Sequence, residues 1–438
     1  MKRLLLLIVL LVTIVPVVLW LLSAHTDLRI EPVKAIGIET PVTLHASNPH
    51  GIRRVTASIE QDGQRHTVFE SASPANRFFF LRKKDPPQAL TIPVGKKRAP
   101  ALHDGRARLV VEAQSNDLRG AITTASVDVQ VNTRPPAVTA DGAQHYINQG
   151  GSELVTLNLG GSWDEAGVRV GNRTFRSFPM PGKDASSGER FALFAFSWDT
   201  PDTTAPFVYA RDSAGNEATA RFWFKVFPKH FRKRDLEITD VFLQKVVNEL
   251  DPAGSGDLLA RFLKINGEMR RLNNQTLADL RLKTEPRVLW NGPFLQLTNS
   301  QVESQFADVR TYLYQGKKVD QQTHLGFDLS VTRNVGVLAA NDGKVIHAAP
   351  LGIYGNCIVI DHGYGLQSIY GHLSHLGVKE GDIVKQRQVI GKSGETGLAG
   401  GDHLHFSMQV DGVQVNPVEW WDAHWIQDRV WSKVPIGK

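Results

Sequence analysis

The sequence predicts a mainly β protein. It comprises an N-terminal transmembrane helix, two β-sandwich segments, a short helical connector and an all-β C-terminal domain. Three observations predict this. Apolar and polar residues alternate strictly in segments such as Val127, Val129 and Val131. Turn signals such as Asp62-Gly63, Asp104-Gly105, Asn341-Asp342-Gly343 and Asp411-Gly412 punctuate the apolar runs. Helical character is confined to the extreme N-terminus and to a stretch after residue 239.

The bulk properties agree. A chain of 438 residues suits about two to four domains. With 42% hydrophobic and 21% charged residues it is globular in composition, which excludes wholesale disorder. A single cysteine excludes an intramolecular disulfide and any cysteine-rich zinc finger. The net charge of +6 is small for the length and no nucleic-acid-binding signature accompanies it, so no nucleic-acid partner is expected.

The first element is residues 1–26. Lys2 and Arg3 precede 21 uncharged residues, Leu4 to Ala24, interrupted in apolar character only by Thr13, Pro16 and Ser23. A helix of that length spans about 30 Å, the thickness of a bilayer core. The two basic residues favour the cytoplasmic side, which places the rest of the chain beyond the membrane. The rival is a cleaved signal peptide, for which the run is long and Leu22-Ser23-Ala24 is a poor cleavage site.

The second element is a β-sandwich-like domain, 27–133, with strands at 106–113 and 125–131, ended by Asn132-Thr133-Arg134-Pro135-Pro136. The third is 134–228. There Phe207-Val208-Tyr209-Ala210-Arg211 runs into Asp212-Ser213-Ala214-Gly215-Asn216, and Arg221–Val226 returns. This hairpin resembles the closing hairpin of bacterial immunoglobulin-like domains, and two segments of near 100 residues with short strands suit β-sandwiches. One larger irregular β domain is the alternative.

The helical connector is 229–290. It opens on Lys229, His230, Arg232, Lys233 and Arg234, read as a solvated linker face with contact to an anionic polymer as the minor alternative. Asp240 is expected to cap a helix carrying Phe242, Val246 and Leu250, and Asp257 a second carrying Leu258, Leu259, Phe262 and Leu263. The turn between them is 251–256. The pair reads as a connector or a lid.

The C-terminal domain, 291–438, carries the chemistry. Eight of the 15 histidines lie between His324 and His424. His324-Leu325-Gly326-Phe327-Asp328 places an imidazole and a carboxylate four apart in an extended pattern. On a straight strand they would lie about 13 Å apart, whereas two ligands of one tetrahedral zinc lie about 3–3.5 Å apart. The chain must therefore bend, and Gly326 would permit a bulge. His403-Leu404-His405 puts two imidazoles on one strand face, about 7 Å apart at Cα. Either motif alone is weak. Together they supply His, Asp and His, a three-ligand set with one open position, as in catalytic zinc sites.

From about Gln305 to Trp421 the chain resembles the LytM/lysostaphin-type zinc metallopeptidases of bacterial cell walls. The matching blocks are His324-Leu325-Gly326-Phe327-Asp328, Gly355–Gly363, Tyr370-Gly371-His372-Leu373-Ser374, Gly394-Glu395-Thr396-Gly397, His403-Leu404-His405-Phe406 and Val415-Asn416-Pro417. The resemblance implies an all-β metallopeptidase domain. It implies that His324, Asp328 and His405 bind one Zn2+ per chain and that His372 and His403 are unliganded catalytic histidines. It further implies a zinc metalloendopeptidase that hydrolyses peptide cross-links of peptidoglycan. Such a protein would be anchored once in the cytoplasmic membrane, with the catalytic domain facing the periplasm or cell exterior. Its partners are then peptidoglycan stem peptides and, through the N-terminal helix, the membrane; no regulatory protein partner is identified. The alternative within the resemblance is a non-catalytic LytM-like activator of another wall hydrolase, although such members lose zinc ligands and this chain keeps all five positions. Ala399-Gly400-Gly401-Asp402 departs from the Ser-Thr-Gly run common in relatives and bears on the groove wall. Cys357 reads as a small buried residue. His347, His362, His375 and His424 read as structural or surface groups, and Tyr370 as groove or core.

Overall fold

The computed structural model describes residues 14, 17, 18, 20, 23–75, 84–117 and 119–434. The expected transmembrane helix lies almost wholly outside the described residues. Among those described, no helix is long and apolar enough to cross a membrane.

The chain divides into two compact units. The first holds the described residues up to Ala137 with Gly160–Glu165 and Ala210–Ala218. Its main sheet has five strands in the order Ala35–Ile36, Ile122–Val131, Gly105–Ser115, Ile52–Gln61, Gln64–Ala72. A three-stranded sheet of Asp27–Ile30, Thr40–Ser47 and Gln88–Val94 accompanies it. The alternation read at Val127, Val129 and Val131 is the inward face of Ile122–Val131. Asp62 and Gly63, at φ 51° and 77°, form the two-residue hairpin loop between Ile52–Gln61 and Gln64–Ala72, where a twisted ribbon requires left-handed residues. Ile36, Leu44, Ile59, Ile92, Leu109 and Val111 make one core. In the 212–216 turn, Asp212 Oδ1 accepts from Ala214 N (3.0 Å) and Asn216 N (2.8 Å). The return strand begins earlier than expected, at Glu217, and stops at Arg221. Phe224–Phe227 instead pairs in parallel with His145–Asn148.

The second unit holds Val138–Leu159, Ala166–Tyr209 and Thr219 onward. Its β segment packs against the C-terminal region through buried polar contacts. Arg176 donates from its backbone N and Nε to the Asp411 carboxylate, both at 2.8 Å. Asn148 and the Ser152 backbone donate to the two oxygens of buried Glu419, also at 2.8 Å.

The helices are Asp240–Leu250, Leu258–Lys264 and Arg270–Asp279, the last two joined by a wide turn, Ile265–Met269. Thr239, not Asp240, caps the first. Thr239 is extended and its hydroxyl accepts from Phe242 N, while Asp240 is the first helical residue, where a carboxylate complements the helix dipole. Asp257 caps the second as expected, accepting from Ala260 N at 2.8 Å. Leu243, Val246, Phe262 and Leu277 share a core with Ile346, Cys357, Val359 and Ile369 of the C-terminal sheet. The helical segment is thus built onto that sheet.

The basic run before the helices is also folded. Lys233–Glu237 is a strand, parallel to Val309–Tyr314. Arg232 Nε lies 3.1 Å from both oxygens of buried Asp308, and Arg234 Nη1 donates to Glu303 O at 2.7 Å. Lys229, His230, Arg232 and Lys233 keep the solvated face expected of the run, while the buried Asp308 carboxylate and the Glu303 carbonyl recruit the heads of Arg232 and Arg234.

The C-terminal sheet runs Gln301–Ser304, Phe327–Ser330, Leu404–Val410, Leu366–Leu373, Asn356–Asp361, Gly343–Pro350, Ile383–Val384. The antiparallel register sets Asp328 opposite His405, and His405 opposite Gly371. Three distant motifs therefore converge at one end of three adjacent strands.

Candidate metal centre

His324 opens the short loop after strand Lys317–Thr323, and the chain bends at Gly326 before Phe327–Ser330 begins. Gly326 matters for a reason other than the expected bulge. A Cβ there would lie 2.6 Å from His405 Cε1 and 2.7 Å from Nε2, so only glycine lets the His405 ring settle over the bend. The bend brings His324 Nε2 to 2.9 Å from Asp328 Oδ1. Strand pairing brings His405 Nδ1 to 3.1 Å from that oxygen and 3.0 Å from His324 Nε2.

These three buried atoms form a near-equilateral triangle. A tetrahedral metal with nitrogen and oxygen bonds near 2.0–2.2 Å separates its ligands by about 3–3.5 Å. The donor chemistry fits as well. His324 commits Nδ1 to Gln305 O at 3.0 Å, which leaves Nε2 to offer a lone pair. The second oxygen of Asp328 accepts from Arg310 Nη2 at 2.5 Å, which leaves Oδ1 for the cluster. His405 Nε2 is buried with no hydrogen-bond partner among the described residues, so the polar contacts of that ring concentrate on Nδ1. Two imidazole lone pairs and one carboxylate oxygen in a buried triangle form a set that a cation satisfies.

His372 and His403 stand beside the triangle. Their rings are 4.8 Å apart by centroid, and the His372 ring is 5.8 Å from that of His405. Each is oriented by a carbonyl: His372 Nδ1 lies 2.8 Å from Thr396 O, and His403 Nδ1 lies 2.8 Å from Gly401 O. With Nδ1 donating, each Nε2 is left to accept a proton. His403 Nε2 lies 3.4 Å from Asp328 Oδ1. His372 has φ 61°, a left-handed backbone that costs energy for a side chain with a Cβ and is found where geometry serves a site. Burial, reinforced by His403 and His405, holds the His372 imidazole well below the ordinary histidine range, so it is neutral at physiological pH. Burial opposes charge on Asp328, yet His324, Arg310 and His403 hold its carboxyl well below the usual carboxylate range.

All five residues singled out in the sequence line one cavity of about 740 Å3. The sequence reading missed three others. Arg310 braces Asp328. The Tyr354 ring lies 5.4 Å from that of His405, and its hydroxyl lies 2.9 Å from Asn274 Oδ1. Arg270, at the start of the third helix, also lines the cavity. Tyr354 lies one residue before the block Gly355–Gly363, and no local pattern marks either arginine. Gly400, Gly401 and Asp402 do line the cavity. The remaining histidines play the bland roles expected: His362 is buried, its Nε2 2.7 Å from Ser368 Oγ, and His375 and His424 are exposed. Tyr370 is core, its hydroxyl accepting from Ala340 N at 2.8 Å. Cys357 is buried, which pushes its thiol up.

Residues 322–417 match peptidase family M23. The DD-carboxypeptidase/endopeptidase Mpg of Neisseria meningitidis is 38% identical over 95 residues, 22% of this chain and 22% of that protein. The peptidoglycan DD-endopeptidase ShyA of Vibrio cholerae is 38% identical over 96 residues, again 22% of each chain. The similarity thus spans about a fifth of these relatives. Among solved structures, the catalytic domain of lysostaphin from Staphylococcus simulans is 26% identical, covering 33% of this chain and 96% of its own, with a TM-score of 0.22. The C-terminal domain of this chain belongs to peptidase family M23.

Proposed function

We propose that the protein is a zinc-dependent endopeptidase that hydrolyses peptide cross-links of bacterial peptidoglycan. One observation supports this above the rest: the His324–Asp328–His405 triangle opens into the same cavity as two further imidazoles, each with Nδ1 anchored to a carbonyl. A zinc ion held by the triangle would acidify a water and polarise the scissile carbonyl. The protein's own part is to place the peptide in the cavity and move protons. The Nε2 atoms of His372 and His403 share two tasks: one takes the proton of the attacking water and, once protonated, passes it to the departing amine, while the other donates to the oxyanion when its ring is the imidazolium. Arg310 keeps Asp328 ionised and oriented. A non-catalytic activator would need none of this machinery, and this chain retains it complete. The apolar run at 4–24 supports a single-pass anchor in the cytoplasmic membrane, with the catalytic domain in the periplasm or at the cell exterior.

The test is digestion of purified peptidoglycan by the zinc-loaded protein, with products identified by mass spectrometry. Separated stem peptides with a new amino terminus are expected. His403→Ala should retain zinc and lose cleavage by about 100-fold or more. A zinc-loaded wild-type protein that leaves every cross-link intact would overturn the enzymatic reading.

A further inference from the structure

We infer that Arg234 and Arg270 form a carboxylate-binding wall of the cavity, so that the peptide cut here carries a free carboxylate beside the scissile bond. This rests on the endopeptidase reading and names its substrate class. Both arginines lie outside the residues that match the family. Arg234 comes from the strand Lys233–Glu237, and Arg270 opens the helix Arg270–Asp279. Both line the cavity that holds His324, Asp328 and His372, and both are half-buried.

Each guanidinium is fixed in place by neutral acceptors. Arg234 Nη1 donates to Glu303 O at 2.7 Å and to Ser304 Oγ at 3.3 Å. Arg270 donates from Nε to Asn266 O at 3.0 Å and from Nη2 to Asn266 Oδ1 at 2.6 Å. The contrast with their neighbours carries the argument. Arg232 spends its charge on Asp308, and Arg310 spends its charge on Asp328. Arg234 and Arg270 have no carboxylate partner within 4 Å among the described residues. Asp320, the acid nearest in the network of Asn266, accepts from Asn266 and Gln322 instead. Asp402, which also lines the cavity, accepts from Ser393 Oγ and Asn334 N. Arg234 therefore has Nε–H and Nη2–H donors to spare and Arg270 has Nη1–H donors to spare, all on pre-positioned planar forks.

The cavity's charge points the same way. Asp328 offsets Arg310, and Glu303 and Asp402 offset Arg234 and Arg270, so the walls alone are neutral. A divalent cation in the triangle makes the whole cavity positive, and a peptide reaching it gains by bringing an anion. In a peptide that anion is a carboxylate, either at a chain end or on a side chain, and planar guanidinium groups suit it in shape.

The experiment uses the full chain and a synthetic cross-linked peptide in three forms: unmodified, amidated at its terminal carboxylate, and amidated at its side-chain carboxylate. Binding is measured by calorimetry to metal-free protein, and cleavage separately with zinc restored. One amidation, and only one, should weaken binding about 10- to 100-fold, the range of a charge-assisted bidentate contact. The form affected identifies which carboxylate is read. In a protein carrying Arg234→Gln and Arg270→Gln, with an unchanged melting profile, that difference should vanish. Equal binding of all three forms to the wild-type protein overturns the inference, and needs no variant. Discrimination in binding without cleavage of any form by the zinc-loaded protein would sustain the carboxylate wall and sink the endopeptidase reading.

Discussion

Asp328 Oδ1 and His405 Nδ1 lie 3.1 Å apart because their residues stand opposite one another on adjacent antiparallel strands. The ladder of the sheet therefore fixes two of the three candidate ligands, and the bend at Gly326 supplies His324. Purified protein should hold about one zinc per chain, since three converging donors make one tetrahedral site. His324→Ala and Asp328→Ala should each lose most of it, measured by elemental analysis of gel-filtered protein. The surrounding core is built from apolar residues such as Leu329, Ile369 and Phe406, so chelation should lower the melting temperature without unfolding the domain at 25 °C. Stoichiometric zinc in Asp328→Ala would show that the metal sits elsewhere.

Arg310 is the second test of the site. Its Nη2 lies 2.5 Å from Asp328 Oδ2, and both side chains are largely buried. Arg310→Gln should lower zinc affinity about 10- to 100-fold, as loss of a partner behind a metal ligand commonly does. In metal-free protein the same change strands a buried carboxylate and should cost about 3–5 kcal/mol of stability. Competition with a fluorescent chelator reads the first effect, and urea unfolding of the metal-free form the second. Unaltered zinc affinity would reduce Arg310 to a packing role.

Helix Asp240–Leu250 reaches the catalytic groups through one loop. Lys245 Nζ donates to Glu395 O at 3.3 Å and to Ala399 O at 3.1 Å, and Gly397 N donates to Glu249 Oε1. Between these anchors lies Thr396, whose carbonyl holds His372 Nδ1. Replacing Lys245 and Glu249 together by alanine should therefore lower kcat about 10- to 100-fold through misplacement of His372, with zinc content unchanged. Full kcat in that variant would show that the loop keeps its shape without the helix.

The contrast between what the residues announce and what they conceal follows from range. His324-x-x-x-Asp328 and His403-x-His405 are short, and their chemistry requires those residue types, so both stand out along the chain. Val127, Val129 and Val131 declare a strand face through their period of two. The helix Arg270–Asp279 is concealed because Arg270-Arg271-Leu272-Asn273-Asn274-Gln275 has no apolar stripe; only Leu277 of that helix is fully buried, and tertiary packing holds it. The roles of Arg310 and Arg234 are concealed because their partners, Asp328 and Glu303, lie on strands of a different sheet and become neighbours only in the folded domain. Asp240 and Thr239 are both competent caps, and the choice between them rests on which backbone is extended.

Glu419 gives a pH-dependent prediction. Burial pushes its carboxyl up to about 7, against the stabilising donors Asn148 and Ser152 and the charge of Lys229. The unfolded chain has its ordinary value of 4.5. Between the two, the folded state holds the proton that the unfolded state has released, so raising the pH favours unfolding. The stability from this group is complete below pH 4.5 and is lost as pH rises through about 7, by at most about 3 kcal/mol. Glu419 receives hydrogen bonds from Asn148 and Ser152, so the loss falls on the contact between the second β segment and the C-terminal helix Val418–Trp421. Other buried groups titrate nearby, Asp361 at about 6 among them, so the comparison with a variant is the measurement. In urea unfolding at pH 5 and pH 8, Glu419→Gln should lose less stability across that interval than the wild-type protein. Its amide must face donors on both sides, so its absolute stability falls at either pH, and only the slope is diagnostic. Equal slopes in the two proteins would mean that Glu419 titrates as an ordinary carboxyl and that the ionised form is fully accommodated by Asn148 and Ser152.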